Sequence, residues 1–221
     1  MINRLRIPAG KIRLVPQSTD IEFFHPMSME TDMICAVGQE MRDYPTLIET
    51  LRGSTIKCHL AVGSTPGSVK DYDTVIVIYQ NQSLLPPNIT AGPLGATELR
   101  DLYARSRFVV VPLLPTDSDH GSSTIGEAMA MRKAIVCSLT RGQREVLVDG
   151  KTCMYVTLGN PKALRDAIEY LWAHPEIADQ MGREGRRIAE RKFTVENFVG
   201  KMKDVVDEVA LSSRRDEALD E

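Results

Sequence analysis

The feature that most constrains the fold is a set of short, wholly apolar runs separated by segments of helical periodicity. DMICAV at 32–37 is apolar after its first residue and is ended by Gly38, and RFVVVPLL at 107–114 and AIVCSL at 134–139 are equally continuous. A strand with one face in water alternates apolar and polar residues, so runs without alternation require a sheet covered on both faces. Between them, DYPTLIETL at 43–51 places apolar residues at helical spacing behind Asp43, a capping residue, and 96–106 and 122–133 also read as helices. KCHLAVG ending at Gly63, TVIVIY at 74–79 and CMYVTL at 153–158 supply further strands, and RGQREVLVDG at 141–150 reads as a short helix. Strands and helices in alternation predict an α/β fold, a Rossmann-like parallel sheet sandwiched by helices.

From Pro161 onward the pattern is helical throughout, with Asn160 before Pro161 and Thr194 before Val195 as helix starts. Trp172, at helical spacing with Leu164, Ile168 and Leu171, belongs to the core side of its helix. Three stretches result. Residues 1–27 resemble a linker, with a short strand pattern at Ile12 to Val15 and an aromatic anchor at Phe23 and Phe24. Residues 28–211 form the Rossmann-like body with its closing helices, and 212–221 are a polar tail.

At 221 residues, 43% hydrophobic and 26% charged, the chain can bury one domain-sized core. A net charge of -3 with no clustered basic run speaks against nucleic acid as a partner. No apolar run reaches the roughly 18 residues of a membrane span, and the N-terminus lacks the apolar stretch of a secretory signal, so a cytoplasmic location is expected. Arg183, Arg186, Arg187, Arg191 and Lys192 form a basic helical face. Such a face is either solvated or drawn to an anionic membrane or lipid-linked acceptor, which leaves peripheral membrane association open. Cys35, Cys58, Cys137 and Cys153 are scattered singly without metal-ligand spacing and read as small buried apolar residues.

In an open parallel sheet, ligands bind beyond the carboxyl ends of the strands, which directs attention to the loops after Val37, Val62, Leu114 and Leu139. The segment PTDSDHGSSTIGEAMA at 115–130 carries Asp119 and Glu127, eight positions apart, with Gly121, Ser122, Ser123 and Thr124 between them. A helix starting near Ser122 would aim unpaired amides at an anion, and Glu127, a turn inside, could accept two hydrogen bonds from a vicinal diol such as ribose. The other reading is an ordinary surface helix capped by Ser122 or Ser123, with Glu127 in water. His120, beside Asp119, reads as a polar contact, and His25, His59 and His174 as structural or exposed.

The string DHGSSTIGEAMAMRKAIVCSLTRGQREVLVDGKTCMYV, followed by MGREGRRIAERKFTVENFV and preceded by VPQSTDIEFFHP and VGQE…RDYPTLIETL, resembles the C-terminal domain of retaining family-4 glycosyltransferases of the two-domain GT-B type. That family carries a Glu-x7-Glu signature, an EAMAxGxPVV-like stretch, a Gly-x-x-Glu segment and a VPNGVDxxxFxP linker. The resemblance covers nearly the whole chain, with its motifs in order.

It implies that Glu127, the second signature Glu, holds the ribose of a nucleotide-sugar donor. Asp119 stands in place of the first Glu, near the reacting centre, one methylene shorter. Gly121, Ser122, Ser123 and Thr124 fall where backbone amides meet the diphosphate and sugar, with Gly38 and Gln39 in the facing loop. Arg42 stands where the family usually has Lys and Gln39 where it usually has Arg, so one of two cations is replaced. Arg42 is implied to neutralise the leaving diphosphate. Base recognition is implied around Gly92 to Leu94. The implied reaction is retaining transfer from a UDP- or GDP-linked sugar to an acceptor hydroxyl, without metal or further cofactor; DSD at 117–119 matches an Asp-x-Asp metal motif only superficially. The acceptor domain would come from a missing N-terminal half or a partner chain, so the isolated half is expected not to turn over. The alternative is a non-enzymatic α/β module acting as a partner subunit.

Overall fold

The computed structural model describes residues 7–62, 82–116, 118–142 and 147–217. Among these residues six parallel strands, β1 (Met33–Val37), β2 (Lys57–Ala61), β3 (Ile89–Gly92), β4 (Ser106–Val111), β5 (Ala134–Ser138) and β6 (Cys153–Val156), form one sheet in the order β3-β2-β1-β4-β5-β6. Every residue of β1 and β5 is buried, as runs without alternation require. The helices are α1 (Tyr44–Leu51), α2 (Ala96–Arg105), α3 (Ser122–Ala130), α4 (Pro161–Ala173), α5 (Pro175–Lys192) and α6 (Val195–Glu217). The Rossmann-like α/β fold is thus present. One apolar cluster lies on each sheet face: Leu47, Phe108 and Leu171 belong to one, Tyr103, Ile125 and Met129 to the other.

The local signals act as the residue types dictate. Asp43 Oδ1 accepts from the Thr46 amide at 3.2 Å and Asn160 Oδ1 from the Ala163 amide at 3.0 Å, each satisfying an orphan donor of a helix start. Thr194 Oγ1 accepts from the Asn197 amide in the same way.

Three expectations differ from what is found, and a fourth falls on residues outside those described. Ile12 to Val15 is not a strand: it has no neighbouring strand among the described residues, and Leu14 is 79% exposed. The helix expected over 141–150 falls partly on 143–146, outside the described residues, while Leu147 and Val148 are not helical and Asp149 bridges to Cys153. TVIVIY at 74–79 also lies outside the described residues; among the described ones, β2 pairs with β1 and with the short segment Ile89–Gly92. Finally, α6 continues past Leu211 to Glu217, so the helix does not stop where the polar tail begins.

The linker-like segment is bolted to the body at α3 and α5. The Thr19 amide donates to Phe193 O at 2.7 Å, and the Thr19 side chain sits so close to Gly126 that a Cβ there would collide with its hydroxyl. Arg186, expected in a basic solvated face, instead donates from Nη1 to Ala130 O (2.8 Å), Phe24 O (3.1 Å) and Ile21 O (3.2 Å), tying α5, α3 and the linker together. Gly182 lets α5 pack on the turn before β5, where a Cβ would run into the Arg132 carbonyl. Because that obstacle is backbone, Gly182→Ala is expected to destabilise the fold by about 1–3 kcal/mol, read as a lower urea midpoint with an unchanged slope.

Candidate functional site

Strands β1 and β4 are neighbours, and the chain leaves them in opposite directions across the sheet, which opens a crevice at their carboxyl ends. The two loops there are knitted together. Arg42 and Leu113 form an antiparallel bridge, the Asp43 amide donates to Pro112 O at 3.0 Å, and the Leu114 amide donates to Met41 O at 3.0 Å. Met41, at φ 54°, makes the turn that brings Arg42 inward.

Arg42 is buried, at 5% exposure. Its Nε donates to Val37 O (2.8 Å), Nη1 to Glu40 O (2.8 Å) and Nη2 to Thr124 Oγ1 (3.1 Å). Among the described residues three of the five guanidinium N–H donors are thereby used inside the protein, and two have no acceptor there. Glycines line the guanidinium on both sides. At Gly38 (φ +110°) a Cβ would collide with it, and at Gly121 (φ +90°) a Cβ would sit 3.7 Å from both terminal nitrogens and 3.1 Å from Val111 Cγ1. Both positions also require the left-handed region.

Gly121 is the residue from which α3 starts, so neither Ser122 nor Ser123 is the cap. The Ile125 amide, bonded to Gly121 O at 2.9 Å, is the first donor satisfied within the helix. Helix geometry leaves the amides of Ser122, Ser123 and Thr124 without an intrahelical acceptor, and the buried Arg42 cation lies under that same turn. Positive charge from a guanidinium and from aligned amides converges on one point, an arrangement suited to a phosphate or diphosphate.

One turn further along α3, half-buried Glu127 accepts a hydrogen bond at Oε2 from the hydroxyl of Tyr103, at 2.8 Å. Burial pushes the Glu127 carboxyl above its ordinary value, and the Tyr103 hydrogen bond and the Arg42 charge pull partly back. Tyr103, fully buried on α2, has its own hydroxyl pushed well above the ordinary phenol range by burial and by that carboxylate. Among the described residues, Oε1 of Glu127 has no hydrogen-bonding partner, so acceptor capacity remains for a diol.

The remaining expected residues are less close-knit. Asp119 is exposed and lines a groove together with Ser122 and Gly126, whereas Glu127 turns to Tyr103. The ring of His120 lies 3.6 Å from the Glu40 carboxylate. Gln39 is half-buried in the loop after β1. Ser123 Oγ accepts from Gln17 Nε2 at 2.7 Å, and Leu94, half-buried, packs on the Tyr103 side of the sheet. The structure therefore gathers Gly38, Arg42, Gly121, Thr124 and the start of α3, with Glu127 one turn on. Tyr103 was not anticipated: an aromatic on the buried face of a helix carries no sign of the carboxylate it will meet. Among the described residues no cluster of three or more His, Cys, Asp or Glu side chains is placed to hold a metal ion.

The model of the family described as "Glycosyl transferases group 1" matches residues 61–174, just over half of the chain. EpsD of Bacillus subtilis strain 168, whose name assigns it to the glycosyltransferases, is 33% identical over 79 residues, which is 36% of this chain and 20% of EpsD. Among solved structures, sucrose-phosphate synthase from Thermosynechococcus elongatus superposes with a TM-score of 0.81 at 21% identity, covering 96% of this chain and 56% of that one. Anabaena HepE, solved in complex with UDP and glucose, superposes with a TM-score of 0.73 at 16% identity, covering 92% of this chain and 58% of that one. The chain thus spans less than two thirds of the length of each.

Proposed function

The chain belongs to the group 1 glycosyl transferases, and from that premise we propose that it is the donor-binding C-terminal domain of a retaining family-4 enzyme of the GT-B type. Its ligand is a nucleotide-diphospho-sugar, and its reaction is transfer of the sugar to an acceptor hydroxyl with retention at the anomeric carbon. The observation that carries this reading is the stacking of three features along α3: the buried Arg42 guanidinium, the amides of Ser122 to Thr124 above it, which have no intrahelical acceptor, and Glu127 one turn on. HepE, of similar fold, was solved with UDP and glucose, which supports the ligand class.

In this reading the diphosphate lies at the start of α3 and the ribose hydroxyls reach Glu127. Transfer breaks the bond between the anomeric carbon and the diphosphate, leaving negative charge on the diphosphate. The α3 amides and the two spare N–H groups of Arg42 meet that charge without reorganising, because Arg42 is already fixed by Val37 O, Glu40 O and Thr124. No metal is required in this scheme. Gly38 and Gly121 are glycines because any side chain would displace the guanidinium or fill the space the diphosphate needs. Asp119 takes the place nearest the sugar, and Leu94 borders the base. Acceptor binding, and with it turnover, falls to a further domain in the same chain or a partner.

Calorimetric titration of the folded chain with UDP and with GDP tests this. Binding of at least one nucleoside diphosphate is expected; binding of neither overturns the reading and favours a module that kept the fold as a partner subunit.

A further inference from the structure

Tyr103 and Glu127 stand on different helices, α2 and α3, and meet at 2.8 Å on one face of the sheet. Tyr103 is fully buried in the apolar cluster of that face, so packing holds its ring and its hydroxyl touches no ligand. Phe24 of the linker sets its own ring nearly perpendicular to that of Tyr103, with 6.1 Å between centroids, and Arg186 holds the Phe24 carbonyl in turn. Phe23 lies under the Arg100 guanidinium, 5.0 Å from the ring centroid, so the aromatic anchor of the linker seats on α2.

The pair does little for the fold. Burial disfavours the ionised form of Glu127, and the Tyr103 hydrogen bond offsets that only in part. A phenyl ring beside an apolar side chain would fill the same space without the cost of a buried charge. What the hydroxyl supplies is geometry. Glutamate is a long, flexible side chain, and ordering it when a ligand arrives opposes binding. Tyr103 holds Oε2 beforehand, while Oε1 has no hydrogen-bonding partner among the described residues. α2 also begins at Ala96, close after Gly92 to Leu94, so one helix joins the stretch expected at the base to the carboxylate expected at the ribose.

We propose that Tyr103 is a positioning residue, whose hydroxyl presets the Glu127 carboxylate for the ribose diol and thereby sharpens selection of ribose-bearing nucleotides. The proposal rests on the donor-binding reading, in which Glu127 meets the ribose.

Calorimetric titration of the full chain with UDP, GDP and their dideoxyribose counterparts, which lack both ribose hydroxyls, tests it in the unmutated chain, Tyr103→Phe, Glu127→Ala and the double variant. The unmutated chain is expected to prefer the ribose forms. Tyr103→Phe keeps the ring; it should reduce that preference about three- to tenfold, the value of one hydrogen bond, and leave affinity for the dideoxyribose forms unchanged. In the Glu127→Ala background Tyr103→Phe should change nothing, because the hydroxyl acts only through the carboxylate. An undiminished preference in Tyr103→Phe overturns the proposal. So does an equal loss for both forms, or failure of the variant to fold, since either makes the hydroxyl a support of the fold. Binding of both forms without preference by the unmutated chain removes Glu127 from the ribose and overturns the proposal, while the diphosphate site stands. Binding of neither nucleotide overturns the donor reading and the role of Tyr103 with it.

Discussion

Replacing Arg42 by methionine is expected to lower the stability of the chain by about 2–4 kcal/mol, because it leaves the Val37 and Glu40 carbonyls of a buried loop without their donor. The length of the side chain is kept, so the loss is one of hydrogen bonding rather than of volume. Arg42→Lys keeps the charge but has a single ammonium that cannot reach three acceptors pointing in different directions, and it should recover less than half of the loss. Urea unfolding followed by circular dichroism measures both. A midpoint unchanged in Arg42→Met would mean that the guanidinium serves a ligand alone and does not hold the β1 and β4 loops together. The two roles are linked: a cation used to fix the loop is already in place when a diphosphate arrives, so no side-chain ordering opposes binding.

The second large effect concerns Glu127. Glu127→Ala should weaken nucleoside diphosphate binding about ten- to a hundredfold, the value of losing hydrogen bonds to a charged acceptor. The pH dependence follows from the raised carboxyl. Only the ionised form accepts both diol hydrogen bonds, so affinity should fall as pH is lowered through the folded-state pKa of Glu127, and that fall begins above the ordinary value of 4.5. Folding stability responds with the opposite sign. A raised carboxyl pKa means that the fold favours the neutral form, so the contribution of Glu127 to stability is fully present below 4.5 and declines as pH rises through the folded pKa. Calorimetry across this range should show affinity rising with pH in the unmutated chain and flat in Glu127→Gln; a slope retained in Glu127→Gln would assign the titration to another group.

How much of this could be read from the sequence depends on how local the signal was. The central strands β1, β4 and β5 were legible because burial on both faces leaves uninterrupted apolar runs. The starts of α1 and α4 were legible because their caps, Asp43 and Asn160, are defined within three residues. Strand β3 was not, because only Ile89 of its four residues is buried and no apolar run forms. Ile12 to Val15 has the composition of a strand but pairs with none among the described residues, and composition carries no information about pairing. At the site, Glu127 and the start of α3 were legible as a motif. The burial of Arg42, the Tyr103 hydroxyl on Glu127 and the role of Arg186 as a strut were not. Each joins residues far apart in the chain, and Arg186 has the same residue type and helix as its solvated neighbours.

The central claim is that a nucleoside diphosphate seats at the start of α3. Mapping backbone amide shifts by NMR during titration of the isotope-labelled chain with UDP and GDP tests it most directly. The largest shifts are expected at Ser122, Ser123 and Thr124, with Gly38 and Gly121 following and the α6 amides unmoved. Saturable binding with its largest shifts elsewhere, and those three amides unchanged, would contradict it.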